Sequence, residues 1–180
     1  LAAQAGLPFI GGEPNADRST LFLSFNTNKR SVTLDLEQAI GKDLLLSILA
    51  DADVVIESYA PGYLDGLGLG YDVIRQTNPR ATLASITYFG QDGPYRDYSG
   101  GDLVAQAVGG FLYAVTGSAD KPPMGTALDQ MEITAARNGV IAIMVALFQQ
   151  RETGEGQHID VSTMEAAVST PSGLLHPYSF

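Results

Sequence analysis

With 180 residues, 45% of them apolar and 17% charged, the chain has the apolar content for one domain with a real core and too little charge for a disordered polymer. A formal net charge of -10 excludes the basic stripe of a nucleic-acid footprint, although local cations and helix N-termini still hold anions in an acidic protein. The absence of cysteine excludes disulfides, thiolate zinc sites and cysteine nucleophiles, and the two histidines, His158 and His176, sit in no ligand spacing, so no metal is expected.

Residues 1–19 are dense in Gly, Pro and Ala and read as loop, without the charged-then-apolar layout of a signal peptide. Residues 31–36 have strand composition, and apolar positions Ile40, Leu44, Leu45, Ile48 and Leu49 predict a helix over 39–50. Residues 53–58 are apolar on both faces, the pattern of a buried parallel strand. After Pro61-Gly62 a helix starting at Tyr63 is interrupted at Gly66, Gly68 and Gly70, and another over 71–77 ends before Asn78-Pro79.

A third strand is predicted over 81–89, a Gly/Pro/Tyr loop over 90–101, and a helix over 103–115 despite Gly109 and Gly110. A long helix runs over 129–152, with its apolar stretch 139–148 read as buried and too short for the roughly 20 residues a bilayer requires. A last strand, 157–162, leads into a helix from Thr163. Strands and helices alternating in this way predict βαβ units and one α/β domain with a mostly parallel sheet flanked by helices. The start without methionine and the abrupt end at Tyr178-Ser179-Phe180 read as truncations.

Dinucleotide, P-loop and nucleophile-elbow motifs are missing, and Gly66-Leu67-Gly68-Leu69-Gly70 fits a helix-breaking turn better than a phosphate cradle. Carboxylates remain. Asp129 and Glu132 stand at the start of the long helix, spaced as a capping box with Asp129 at N-cap and Glu132 at N3. A carboxylate there is also held ionised by the helix N–H groups and can attack an activated carbonyl. Capping and catalysis compete for the same two residues.

Seven blocks then carry a family resemblance. They are Asn26-Thr27-Asn28-Lys29-Arg30-Ser31-Val32-Thr33-Leu34-Asp35-Leu36, Ala52-Asp53-Val54-Val55-Ile56-Glu57, Pro61-Gly62 with Leu67-Gly68-Leu69-Gly70-Tyr71, and Asn78-Pro79-Arg80. Phe89-Gly90-Gln91-Asp92-Gly93-Pro94-Tyr95, Asp102-Leu103-Val104-Ala105-Gln106-Ala107 and Thr153-Gly154-Glu155-Gly156-Gln157-His158-Ile159-Asp160-Val161-Ser162 complete the series. In order and spacing they resemble the type III CoA-transferases, the CaiB/BaiF family.

The resemblance implies a Rossmann-like large domain in an interlocked dimer, of which residues 1–180 would be a part, without the opening strand and helix and without the small domain. It implies transfer of CoA from an acyl-CoA thioester to a carboxylic acid through an enzyme carboxylate, with coenzyme A or acyl-CoA as substrate. No permanently bound cofactor, nucleic acid or membrane would be involved, and the setting would be cytoplasmic. Counted without gaps, the family's nucleophilic Asp falls on Glu132, with Asp129 three residues earlier. An active Glu132, a shifted Asp129 and a non-catalytic subunit of a heteromeric enzyme all remain open. For CoA, the resemblance points to Lys29, Arg30, Leu34, Ser58, Thr87 and Phe89, and it finds Gly66 where an Arg is common. The racemases of the same fold use a His before the Asp of an H-D segment, and here Gly101 precedes Asp102.

Overall fold

The structure is a computed structural model that describes residues 8–116 and 120–170. His176 and the final residues 178–180 lie outside the described residues, as do positions 1–7 of the expected loop. The chain divides into two compact units, Leu1–Leu34 and Asp35–Phe180.

The first unit holds two 3-10 turns, Ile10–Gly12 and Ala16–Arg18, and helix α1, Thr20–Phe25. Ser19 caps α1: its Oγ accepts from the Phe22 N–H at 3.2 Å. Thr20 ties the helix start to the Pro8 carbonyl through its N–H at 3.0 Å and its hydroxyl at 2.9 Å. The strand expected over residues 31–36 is not formed. A strand needs a neighbour to exchange N–H and C=O bonds with, and none of the described strands pairs with this segment.

The second unit opens with α2 (Ala39–Leu49), β1 (Val54–Glu57), α3 (Tyr63–Gly66), α4 (Tyr71–Thr77) and β2 (Thr82–Thr87). It continues with α5 (Asp102–Val108), α6 (Phe111–Thr116), α7 (Gln130–Thr153), β3 (His158–Ser162) and α8 (Thr163–Ser169). The three strands are parallel in the order β1-β2-β3, with Val54 opposite Thr82, Leu83 opposite His158 and Thr87 opposite Ser162. This is the α/β architecture that the alternating pattern predicts.

Helices cover both faces of the sheet. Leu49, Ile74, Ala81 and Leu83 form the core on the α2/α4 side, and Ala135, Val161 and Ala166, joined by Ile86 and Ile159, form it on the α7/α8 side. A third cluster, Ala105, Met131 and Ala167, packs α5 against α7 and α8. Asn78 locks the first layer, donating from Nδ2 to the carbonyls of Leu49 at 3.1 Å and Ala52 at 3.0 Å.

Three further expectations change. Strand β1 is not buried on both faces: it ends the sheet order, and Ile56 is 61% exposed. The helix over 103–115 splits into α5 and α6, because Gly110 takes a left-handed φ of 77° that ends one helix and starts the next. The apolar stretch 139–148 belongs to a 24-residue helix that, by length and composition alone, is long enough to cross a membrane. It is buried along one stripe, Met131, Ala135, Gly139, Ile143, Ala146 and Gln150, while Ile141, Val145 and Phe148 on the opposite side are exposed.

The Thr153-Gly154-Glu155-Gly156 turn has a plain physical origin. Gly154 ends α7 in the left-handed region at φ 78°, donating to the Gln150 carbonyl at 2.8 Å. Gly156 donates to the Pro79 carbonyl at 2.8 Å, and a Cβ there would fall 2.0 Å from the carbonyl oxygen of Ala81. The turn therefore aligns β3 beside β2.

Candidate active site

The C-terminal ends of the strands open on a cavity of about 790 Å³ whose lining includes Ser58, Thr87, Tyr88, Phe89, Arg96 and Glu132. Four residues nominated from the sequence, Ser58, Thr87, Phe89 and Glu132, thus come together although they span two elements and two loops. Ser58 follows β1, and Thr87 ends β2 with its Oγ1 accepting from the Gly90 N–H at 3.0 Å. Phe89 packs against Tyr95 and Tyr98, with ring centroids at 6.0 and 6.3 Å, which anchors the 90–101 loop from within. The loop's first turn is held by Asp160 on β3, whose Oδ2 accepts from the Gln91 N–H at 2.8 Å.

Glu132 occupies the first turn of α7 and is exposed toward the cavity. Its Oε1 accepts a short hydrogen bond from the hydroxyl of Tyr88. Burial, then the bond to the Glu132 carboxylate and its charge, raise the Tyr88 phenol well above its ordinary pKa, so it stays a donor. The Tyr88 carbonyl is fixed in turn by the Met164 N–H at 3.0 Å. Gly100 leaves room for the ring, since a Cβ at that position would lie 2.1 Å from Tyr88 Cγ.

The capping box is not formed. Asp129 stands at N-cap but its side chain makes no capping bond, and its backbone, with φ 0° and ψ 56°, follows Leu128 at φ 61°. The cap comes from another helix instead. Asp102 Oδ1 accepts from the N–H of Met131 at 2.7 Å and of Glu132 at 3.3 Å. Its second oxygen accepts from Gln106 Nε2 at 2.5 Å, and Gln106 Oε1 accepts from the Thr126 N–H at 3.0 Å. Two of the orphan N–H groups at the positive dipole end of α7 are satisfied by a carboxylate that is 27 positions away from Asp129 in the chain. Glu132 is thereby released from a capping role and faces the cavity, whereas Asp129 does not line it.

Lys29, Arg30 and Leu34 belong to the first unit. Lys29 Nζ donates to Asn26 Oδ1 at 3.0 Å, Arg30 is exposed, and Leu34 is half-buried. Gly66 ends α3 and brings no cation. Of the histidines, His158 Nε2 lies 2.9 Å from Ser85 Oγ, its ring stacked on Tyr71 at 5.4 Å, and it lines a separate, smaller cavity.

Tyr88, Asp102 and Arg96 are the site residues that sequence reasoning missed as such. Tyr88 stands between two nominated residues, and Asp102 immediately precedes the helix predicted over 103–115. Their partners, 44 and 29–30 positions away, carry no local pattern that would join them. Replacing Asp102 by alanine is expected to destabilise the full-length protein by about 1–3 kcal/mol, because two helix donors and Gln106 lose their acceptor together. Asparagine, which keeps one acceptor oxygen, costs less. Urea unfolding of both variants measures the difference.

The sequence of the chain matches the family model for CoA-transferase family III over residues 6–179. It is 38% identical over 156 residues to a formyl-CoA:oxalate CoA-transferase of Streptomyces avermitilis, covering 87% of this chain and 37% of that protein. It is 37% identical to a subunit, BbsE, of the succinyl-CoA:(R)-benzylsuccinate CoA-transferase of Thauera aromatica, covering 88% of this chain and 38% of the subunit. A crystal structure of a CaiB/BaiF family protein from Brucella suis superposes with a TM-score of 0.85 at 35% identity, covering 97% of this chain and 46% of that one. Fold and site define an α/β protein with a carboxylate presented at a helix start over a strand-end cavity. The chain belongs to CoA-transferase family III, and it spans less than half the length of these relatives.

Proposed function

We propose that the full-length protein transfers CoA between an acyl-CoA thioester and a carboxylic acid, with Glu132 as the nucleophile. The observation that carries this reading is that Glu132, freed from capping by Asp102, meets the donor Tyr88 inside the cavity lined by Ser58, Thr87 and Phe89. Tyr88 occupies Oε1, so Oε2 is the oxygen available to attack.

The carboxylate adds to the thioester carbonyl, the C–S bond breaks, and CoA thiolate leaves from a mixed anhydride. The thiolate then attacks the Glu132 carbonyl carbon, expelling the donor acid and leaving an enzyme-CoA thioester. The acceptor carboxylate displaces CoA from Glu132 to form a second anhydride. Thiolate attack on its acyl carbon releases the new acyl-CoA and restores Glu132. The tyrosine hydroxyl steadies the negative oxygen at each return of the carboxylate. The substrates are acyl-CoA and a carboxylic acid, and the family resemblance supports assembly as an interlocked dimer in the cytoplasm.

A second reading, in which this chain is a non-catalytic subunit of a heteromeric transferase, draws on the Thauera relative being named as a subunit. Racemase chemistry draws no support from the site, where Gly101 precedes Asp102 and no imidazole lines the cavity among the described residues.

Hydroxylamine trapping separates these readings. Incubated with acyl-CoA and hydroxylamine, the full-length protein should give a hydroxamate on the peptide that carries Glu132, found by mass spectrometry. An unmodified peptide from an active preparation would refute the covalent role, and solvent deuterium entering the α-position of the acyl group would point to racemisation.

A further inference from the structure

In the proposed reaction the carboxyl carbon of Glu132 is itself attacked. As an anhydride or a thioester its carbonyl oxygen is neutral, and attack on that carbon returns a negative charge to the oxygen. Thiolate attack on the anhydride and acceptor attack on the thioester therefore both pass through an oxyanion on Glu132. A donor already aimed at that oxygen lowers both barriers, because its bond strengthens as the charge develops.

The backbone at the start of α7 has two of its donors engaged: the N–H groups of Met131 and Glu132 both go to Asp102 Oδ1, at 2.7 and 3.3 Å. Arg96 also lines the cavity, but its guanidinium reaches over the turn after β1, where a Cβ on Gly62 would lie 3.0 Å from Nη2. The donor that meets the Glu132 carboxyl is the Tyr88 hydroxyl, on Oε1. Several contacts fix its place. The ring packs against the buried cluster of Ala105, Met131 and Ala167, it fills the space that Gly100 leaves open, and the Tyr88 carbonyl accepts from the Met164 N–H at 3.0 Å. Burial first, and Glu132 second, raise the phenol above its ordinary pKa, so the hydroxyl keeps its proton at neutral pH.

We infer that Tyr88 is the oxyanion donor for the two steps that take place at the Glu132 carbon, an assignment that rests on the CoA-transfer reading above. The same bond acts in the opposite sense on the opening step. There the carboxylate gives up charge as it attacks, and the new oxyanion builds on the substrate's own oxygen. Removing the hydroxyl should thus slow attack on the Glu132 carbon and spare attack on the acyl carbon.

Hydroxylamine reads the two carbons separately. Attack on the acyl carbon of the anhydride gives a free acyl hydroxamate and returns Glu132. Attack on the Glu132 carbon gives a Glu132 hydroxamate and releases the acid from the anhydride or CoA from the thioester. The full-length protein is incubated with hydroxylamine and acetyl-, butyryl- or succinyl-CoA, and both enzyme-dependent products are quantified by mass spectrometry. The ratio of Glu132 hydroxamate to acyl hydroxamate should fall by about 10²-fold in Tyr88→Phe, which keeps the ring. Because it is a ratio, it does not depend on how much of the variant folds. A ratio that is unchanged or higher, whether both products persist or both fall together, overturns the assignment and leaves the transfer reading standing. A native protein that forms no Glu132 hydroxamate with any of the three thioesters overturns that reading and this assignment with it.

Discussion

Glu132→Gln is expected to lower the turnover of CoA transfer by about 10³-fold or more, with little change in the KM for acyl-CoA. The amide keeps the shape of the side chain and can still accept from Tyr88, so binding and folding survive. What it lacks is the anionic oxygen that must add to the thioester carbonyl. Asp129→Asn is expected to stay within a few-fold of the native rate, because Asp129 does not line the cavity. Steady-state exchange between an acyl-CoA and an acid, followed by chromatography of the CoA esters, measures both. Native turnover in Glu132→Gln would place the chemistry on another chain and favour the subunit reading.

The second large effect concerns folding. Gly156→Ala is expected to cost more than about 3 kcal/mol and to lower the melting temperature strongly. The added methyl would meet the Ala81 carbonyl oxygen at 2.0 Å, the Ala81 carbonyl carbon at 2.4 Å and the Arg80 oxygen at 2.6 Å. All three are backbone atoms and no side chain can swing away to relieve the clash. Gly66→Ala is the contrast: nothing lies within 4 Å of its Cβ position and its φ is ordinary. That change should be neutral or stabilise by up to about 1 kcal/mol through the unfolded chain. Thermal unfolding of the two variants side by side makes the comparison, and an unchanged midpoint in Gly156→Ala would contradict the close approach of the α7–β3 turn to the α4–β2 connection.

The two residues share a motif-level lesson. Within Thr153-Gly154-Glu155-Gly156 the glycines are legible as a stop signal, but only the neighbouring backbone of Arg80 and Ala81 shows why the second cannot carry a side chain. At the site, the spacing of Asp129 and Glu132 was open to a cap or a nucleophile, and local pattern alone favours the cap. The three-dimensional fold reverses the emphasis by sending Asp102 to the helix end.

From residue 39 onward the alternation of strands and helices, the α/β class, the parallel sheet and the family blocks were legible from the sequence, because they rest on periodicity, turn residues and motif spacing, which are local properties. Ser58, Thr87, Phe89 and Glu132 could be named for the same reason, each standing in or beside a recognisable block. The fate of residues 31–36 was not legible, since a strand depends on a partner and composition does not supply one. Nor were the Tyr88–Glu132 bond, the cap from Asp102 and the reach of Arg96 over Gly62, which join residues tens of positions apart. Long-range hydrogen bonds and close approaches are set by how helices and loops pack around the sheet. The sequence determined that a carboxylate would stand at the start of the long helix; tertiary packing decided that it is Glu132 that faces the cavity.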